Sequence, residues 1–313
     1  MFKIVGRRLL VSLPLVLIVT MLTFFLVLLT PGDPAVVILG MNHTPAEYEA
    51  AREKLGLSQP ALTRYGHWIS DLGNGDLGVS IFNSEPVLKI LKDRSGVTFS
   101  LIIVTTIFSS IIGIGLGIAS AVQKGFLARI VDVTSLLGMA LPNFWVALVL
   151  VAIFSVKLSL LPAIGYIQPG TSLSGWFKSL ILPVIVLSAG AIGGIAQQTR
   201  SSMLEVLEKP YMRTLRAGGL GRTSLIYRHA LRNAAISIIT VVGLIFISLL
   251  GGTVIAETVF ALPGLGGLAV QATSRHDLPV IQGLVLYFTV IVIIVNILVD
   301  IIYAWLNPRI RLS

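Results

Sequence analysis

Few residues of this sequence have chemistry to offer: four histidines, two aspartates inside apolar stretches and two glycine-rich runs, with no cysteine. The missing thiols exclude disulfides, iron–sulfur clusters and thiolate zinc sites. His43, His67, His229 and His276 are too scattered for a His-x-x-x-His zinc site and read as surface or cap residues. Gly218-Gly219-Leu220-Gly221-Arg222-Thr223 has the glycines of a phosphate loop but neither its lysine nor a preceding buried strand. Pro263-Gly264-Leu265-Gly266-Gly267 reads as a tight turn where the chain re-enters an apolar segment. Asp132 and Asp300 lie near the ends of apolar stretches, where pairing with Arg129 and Arg309 is the expected role. No catalytic constellation emerges, so the chain is read as a non-enzyme with no energy source of its own.

The elements that would position these residues are apolar helices. Apolar residues make up 55% of the chain and charged residues 12%, against about 25% charged in soluble domains. Six stretches, near 9–30, 97–122, 130–156, 180–198, 236–256 and 283–305, are each long enough to cross about 30 Å of hydrocarbon as a helix. None alternates as a membrane β-barrel strand does. The first follows Lys3, Arg7 and Arg8 but is too long for a signal h-region and lacks a small-x-small cleavage site, so it is expected to stay as an anchor. Fourteen of the 23 Lys and Arg residues fall in segments 1–8, 123–129, 199–235 and 306–313. The positive-inside rule then puts both termini in the cytoplasm. The net charge of +9 is spread between apolar blocks and forms no aromatic-laced patch, so nucleic acid is not expected. The expected fold is an all-α integral membrane protein with six transmembrane helices, N-in and C-in.

Segment 31–96 reads as an extracytoplasmic insert with its own helices. Thr44-Pro45-Ala46-Glu47 is a capping box with proline in the first turn, opening a helix to Leu55 that stops at Gly56. A second amphipathic piece covers Leu62–Leu72 and ends in Gly73-Asn74-Gly75-Asp76; a third lies near Pro86–Lys92. Pro142 and Pro183 fall inside spans, where they are expected to kink the helix. Small residues, notably Gly113, Gly115 and Gly117 and again Ala189, Gly190, Gly193 and Gly194, suit close helix packing.

The longest cytoplasmic connection, 199–235, carries seven basic residues against Glu205 and Glu208. Read helically, Met212, Leu215 and Gly219 share a face with Leu220 alongside, and Arg213 and Arg216 lie off it. Such a helix either inserts into a groove of another protein or lies on anionic lipid; its composition leaves both open.

This loop resembles the EAA loop of ABC-importer permeases. Leu215-Arg216-Ala217 occupies the Glu-Ala-Ala triplet, Gly221 the glycine and Leu231 the first later apolar position. The Glu and one Ala are absent, and Asn233-Ala234 stands where Leu-Pro is common. Thr199 through Val206, Tyr211 through Gly221 and His229-Ala230-Leu231-Arg232-Asn233 are similar to the dipeptide/oligopeptide/nickel branch. So are Pro31-Gly32-Asp33-Pro34, Leu55-Gly56-Leu57, Gly75-Asp76-Leu77-Gly78, Leu141-Pro142-Asn143-Phe144-Trp145, Glu257-Thr258-Val259-Phe260 and Asn307-Pro308-Arg309-Ile310-Arg311. Over its whole length the chain resembles the B-type permease subunit of that branch.

The resemblance implies a type I ABC importer permease fold in the bacterial cytoplasmic membrane. It divides the chain into a first helix within 1–30, an extracytoplasmic insert at 31–96, a five-helix core at 97–306 and a cytoplasmic tail at 307–313. It implies a second, homologous permease, two cytoplasmic ATPase subunits that bind the ATP and magnesium, and an extracytoplasmic substrate-binding protein. It assigns the loop to a groove of an ATPase, with Leu215, Ala217, Gly218 and Gly221 as the docking core and Arg213 and Arg216 flanking. Gly221 is expected at a bend or close approach that a Cβ would penalise. His229 and Asn233 are expected to order the following segment, and Glu257 is a candidate outer gate or a structural partner of Arg275 or a turn amide. The expected cargo is di- or oligopeptides, with nickel or another chelated metal as the alternative. An ion-coupled carrier is the remote one.

Overall fold

The computed structural model describes residues 2–30, 32–40, 42–123 and 125–306. Pro31 and the motif Asn307–Arg311 therefore lie outside the described residues, as does the proposed partner Arg309. The described residues are helical throughout, joined by loops and one isolated β-bridge, Val79 to Pro86. Among them, five helices are long and apolar enough to cross a membrane, and a shorter apolar one covers Asn143–Lys157. The third expected span is broken. Helix α6 (Phe126–Ala140) stops before Leu141-Pro142, and α7 (Asn143–Leu150) restarts with Pro142 at its N-cap and continues as a π-helical turn over Val151–Lys157. Proline cannot donate to the preceding turn and clashes with it, so here it interrupts the helix; Pro183, by contrast, lies inside the unbroken α8 (Leu173–Glu208).

The described residues form two compact units, one within 2–98 and 263–294 and one within 99–262 and 295–306. The first holds α1 (Phe2–Leu29), α2 (Pro34–Leu39), α3 (Pro45–Lys54), α4 (Ala61–Gly73), the start of α5 (Val87–Val122), α11 (Leu265–Arg275) and the start of α12 (Leu278–Leu306). Its core gathers Val87, Leu91, Leu265, Leu268, Ile281 and Leu284. Helix α3 has the expected capping box: the Glu47 amide donates to Thr44 Oγ1 at 3.3 Å, and the Thr44 amide donates to Glu47 Oε2 at 2.7 Å. Helix α4 matches the second amphipathic piece. The third piece is not separate, because α5 begins at Val87 and runs through the expected boundary at 96/97. The turn expected at Pro263–Gly267 is also shorter. Leu265, Gly266 and Gly267 already belong to α11, whose first amide, that of Leu265, donates to Thr98 Oγ1 of α5 at 2.8 Å.

Asp33 organises the insert. Its side chain caps α2 by accepting from the Ala35 amide at 2.8 Å, and it accepts from the Tyr48 hydroxyl and Arg52 Nη1, each at 2.7 Å. Partial burial alone would raise its pKa, but the Tyr48 hydroxyl, the Ala35 amide and Arg52 together hold it below the ordinary value.

The second unit is packed through small residues. A Cβ at Gly138 of α6 would meet the Ala189 carbonyl oxygen of α8 at 2.4 Å, and one at Gly117 of α5 would meet the Ala196 carbonyl oxygen at 2.6 Å. Helix backbones approach this closely only where side chains are absent. Helix α10 (Leu231–Val259) completes the unit against α8, and its Thr240 hydroxyl is hydrogen-bonded to Tyr303 of α12.

Replacing Asp33 with Asn removes the charge from this hub. Amide exchange in 34–39 and 45–54 should speed up by roughly tenfold, as losing a hydrogen bond to a charged group of about 1.5 kcal/mol implies. Since the folded-state pKa is depressed, the wild-type contribution is full above the unfolded value of about 3.9 and is lost as pH falls through the folded one. Hydrogen exchange between pH 3 and pH 6 reads both effects, and unchanged exchange in the variant would refute the assignment.

Candidate functional site

The 199–235 connection is built from α8, a short α9 (Pro210–Ala217), a π-helical turn (Ser224–Ala230) and the start of α10. Lys209, at φ −63° and ψ 144°, ends α8, and Pro210 opens α9. Residues before proline favour extended backbone, and proline suits the first helical position. An eight-residue helix has little stability of its own in water. Helix α9 is held by its apolar stripe: Met212 is fully buried and Leu215 half-buried in a cluster with Met203, Val206, Leu225 and Ile226. The stripe read from the sequence thus exists, but it faces the chain's own core. Leu215, assigned above to the docking core, anchors the helix. Tyr211, Arg213, Thr214, Arg216 and Ala217 point outward and are exposed, as are Gly218, Gly219 and Gly221.

The end of α9 is a Schellman motif. The Leu220 amide donates to the Leu215 carbonyl at 3.3 Å and the Gly219 amide to the Arg216 carbonyl at 3.1 Å, with Gly219 at φ +81°. Leu220 then packs on the same cluster as Leu215. The conformational demand expected at Gly221 therefore falls on Gly219; a Cβ at Gly221 would meet nothing within 4 Å, and its φ is not left-handed. Arg222 Nη2 donates to the Val122 carbonyl at the end of α5, at 3.2 Å. A guanidinium there pairs an open carbonyl and suits the negative helix end. Asn233 Nδ2 donates to the His229 carbonyl at 2.7 Å, within the junction between the π-helical turn and α10.

Beside α9 lies a cavity of about 540 Å³, walled by Leu204, Leu207, Leu220 and Leu225, with Glu208 and Arg216 at its edge. A second, of about 480 Å³, lies elsewhere in the same unit. It is bounded by Leu141 and Asn143 at the α6–α7 break, by Gly190 and Gly194 of α8, and by Ile245, Ser248 and Gly252 of α10.

The remaining candidates find other settings. Asp132 pairs with Arg200 of α8 at 2.5 Å, not with Arg129, because α6 and α8 are packed side by side. Glu257 is only 1% exposed, so it lines no open surface, while Arg275 lies over the Phe82 ring at 5.8 Å. His276 caps α11 in a left-handed conformation, and His43 Nδ1 bonds with the Gly40 carbonyl. Among the described residues, no group of three His, Asp or Glu side chains is placed to hold a metal.

Substituting Gly219 with Ala should destabilise the end of α9 by about 1 kcal/mol, the cost of a left-handed alanine, while Gly221→Ala leaves it unchanged. Protease sensitivity of 210–222 in the two variants measures this, and equal behaviour would refute the Schellman assignment.

Comparison with known proteins agrees with this architecture. Residues 113–312 match the family described as binding-protein-dependent transport system inner membrane component, and residues 1–102 match its N-terminal companion. A putative peptide transport system permease protein of Brucella abortus is 41% identical over 312 residues, covering 99% of both chains. The dipeptide transport system permease of Alkalihalophilus pseudofirmus is 39% identical, covering 97% of this chain and 98% of the relative. The glutathione transport system permease of Salmonella choleraesuis is also 39% identical, covering 99% of each. An inward-facing MetNI methionine ABC transporter chain shares the fold, with a TM-score of 0.59 at 19% identity over 72% of this chain and 99% of that one. The chain belongs to the family of binding-protein-dependent transport system inner membrane components.

Proposed function

We propose that this chain, a permease subunit of an ABC importer, passes peptides delivered by an extracytoplasmic binding protein and couples to its ATPases through α9. The observation that carries the reading is the division of α9 into a buried apolar face and an exposed face with Arg213, Arg216 and Ala217, continued by the exposed Gly218 and Gly221 of the turn after it. A helix whose apolar stripe is already covered offers a partner charge and bare backbone. The matching ATPase surface would present carboxylates to the arginines and approach closely at Gly218 and Gly221. The cavity beside Arg216 has the apolar walls to receive one protruding side chain. A second, homologous permease and two ATPases complete the assembly, with both termini of this chain in the cytoplasm and ATP and magnesium held by the ATPases.

The 480 Å³ cavity between α6–α7, α8 and α10 supports the same reading as a stretch of pathway wall. Its small residues leave room for varied side chains, and Asn143 and Ser248 offer hydrogen bonds to a peptide backbone. Peptides are favoured over nickel because relatives similar along their whole length are named for peptides, a dipeptide and glutathione. An ion-coupled carrier is disfavoured because Asp132 already has a cationic partner.

The test is Gly221→Trp in the reconstituted transporter. Peptide uptake should fall at least tenfold while the protein inserts normally and ATP hydrolysis persists. Normal coupled uptake in this variant would remove α9 from the docking role. Uptake of wild-type protein that collapses with a protonophore, at constant ATP, would favour the ion-coupled carrier.

A further inference from the structure

The unit formed by 2–98 and 263–294 carries a cavity of about 460 Å³ between the insert helices and the first turn of α12. Ile38, Leu55, Leu57 and Leu278 make its walls apolar. Two cations, Lys54 and Arg64, line it, and among the described residues no carboxylate does. Arg64 is half-buried, with its guanidinium over the Phe24 ring of α1 at 5.7 Å, and it has no ion-pair partner among the described residues. Asp33 is already engaged by Arg52 and Tyr48. Desolvation, and then the nearby charge of Arg52, lower the Arg64 pKa, as expected of a cation short of a counter-ion.

The cavity's place along α1 narrows the choice of occupant. Helix α4 lies on α1: Tyr65 Oη is hydrogen-bonded to Thr20 Oγ1 at 3.0 Å, and the Tyr65 ring is 5.5 Å from that of Phe24. Phe24, under the Arg64 guanidinium, is five residues from Leu29, about 8 Å at 1.5 Å per residue. The site therefore flanks the last turns of an apolar span, only 11% of whose apolar window is buried within the chain. Beside the end of such a span lie lipid headgroups and the first acyl carbons. Arginine forks suit phosphate oxygens, and basic side chains near the bilayer surface attract anionic lipid.

We propose that this cavity binds one anionic phospholipid, with its phosphate between Arg64 and Lys54 and its proximal acyl carbons against Leu55, Leu57 and Leu278. The site is distinct from the α9 surface and does not depend on which leaflet faces the end of α1. Inorganic phosphate shares the headgroup chemistry but lacks the apolar part.

The experiment is native mass spectrometry of the intact transporter released from bilayers of mixed phosphatidylglycerol and phosphatidylcholine. Phosphatidylglycerol should be retained preferentially, and the double variant Arg64→Gln, Lys54→Gln should lower that retention at least tenfold. Ile38→Trp keeps both cations but fills the cavity from its rim, and it should cause the same loss; it decides the matter if the double variant folds poorly. Millimolar inorganic phosphate should not displace the lipid. Equal retention of the two lipids, retention unchanged by Ile38→Trp, or displacement by inorganic phosphate would each overturn the proposal.

Discussion

A backbone amide or carbonyl left unpaired in hydrocarbon costs several kcal/mol, and this constraint accounts for how the chain handles several of its helix breaks. The long helices satisfy it internally. Where they break, something nearby supplies the partner. At the α6–α7 interruption the Pro142 carbonyl accepts from the Trp145 and Val146 amides at 3.0 and 3.2 Å. At the π-helical turn before α10, the Asn233 side-chain Nδ2 donates to the His229 carbonyl. The start of α11 takes a hydroxyl from Thr98, and the end of α5 takes the guanidinium of Arg222. Thr98, Arg222 and Asn233 thus act on backbone groups at helix ends and junctions.

Two helix ends solve the same problem with different residues. Both α9 and α10 close with a Schellman pattern, the second through the Leu262 amide on the Glu257 carbonyl at 2.8 Å. The left-handed position is glycine at 219 and alanine, at φ 49°, at 261. Backbone strain persists only where the surroundings over-determine it. Around Ala261 they do: Phe260 and Leu262 are 2% and 4% exposed, and the Phe260 carbonyl accepts from the Gly165 amide. Helix α9 has only Met212 fully buried, so its end relies on a residue that takes the conformation without strain.

What the sequence revealed follows from the range of the interactions concerned. The α3 capping box spans three residues and was legible, as was the periodicity of α4. The Asp33 hub joins residues 15 and 19 positions apart, and the Asp132–Arg200 pair joins α6 to α8. Neither pairing has a local signal, so the nearer Arg129 was the natural candidate. In α9 the spacing of Met212 and Leu215 defined an apolar face but not what that face meets; the choice lay between lipid and a partner, and the chain's own core covers it. The left-handed position has no signal of its own, because Gly218-Gly219-Leu220-Gly221 offers three glycines and only the register of the preceding helix decides which of them adopts it.

This arrangement bears on how a coupling helix could transmit motion. A helix hung on flexible loops would yield when a partner pushed it. Helix α9 instead has Met212 and Leu215 in one cluster with side chains from the ends of α8 and α10, and Arg222 of the following turn is bonded to the end of α5. On the proposed reading, a displacement of its basic face would carry those helix ends with it. Helices α8 and α10 also bound the 480 Å³ cavity, and at Gly138 the α6 backbone meets that of α8 with no side chain between them. A close-packed interior of this kind transmits strain, so movement at the exposed arginines would reach the cavity wall as a shift of whole helices.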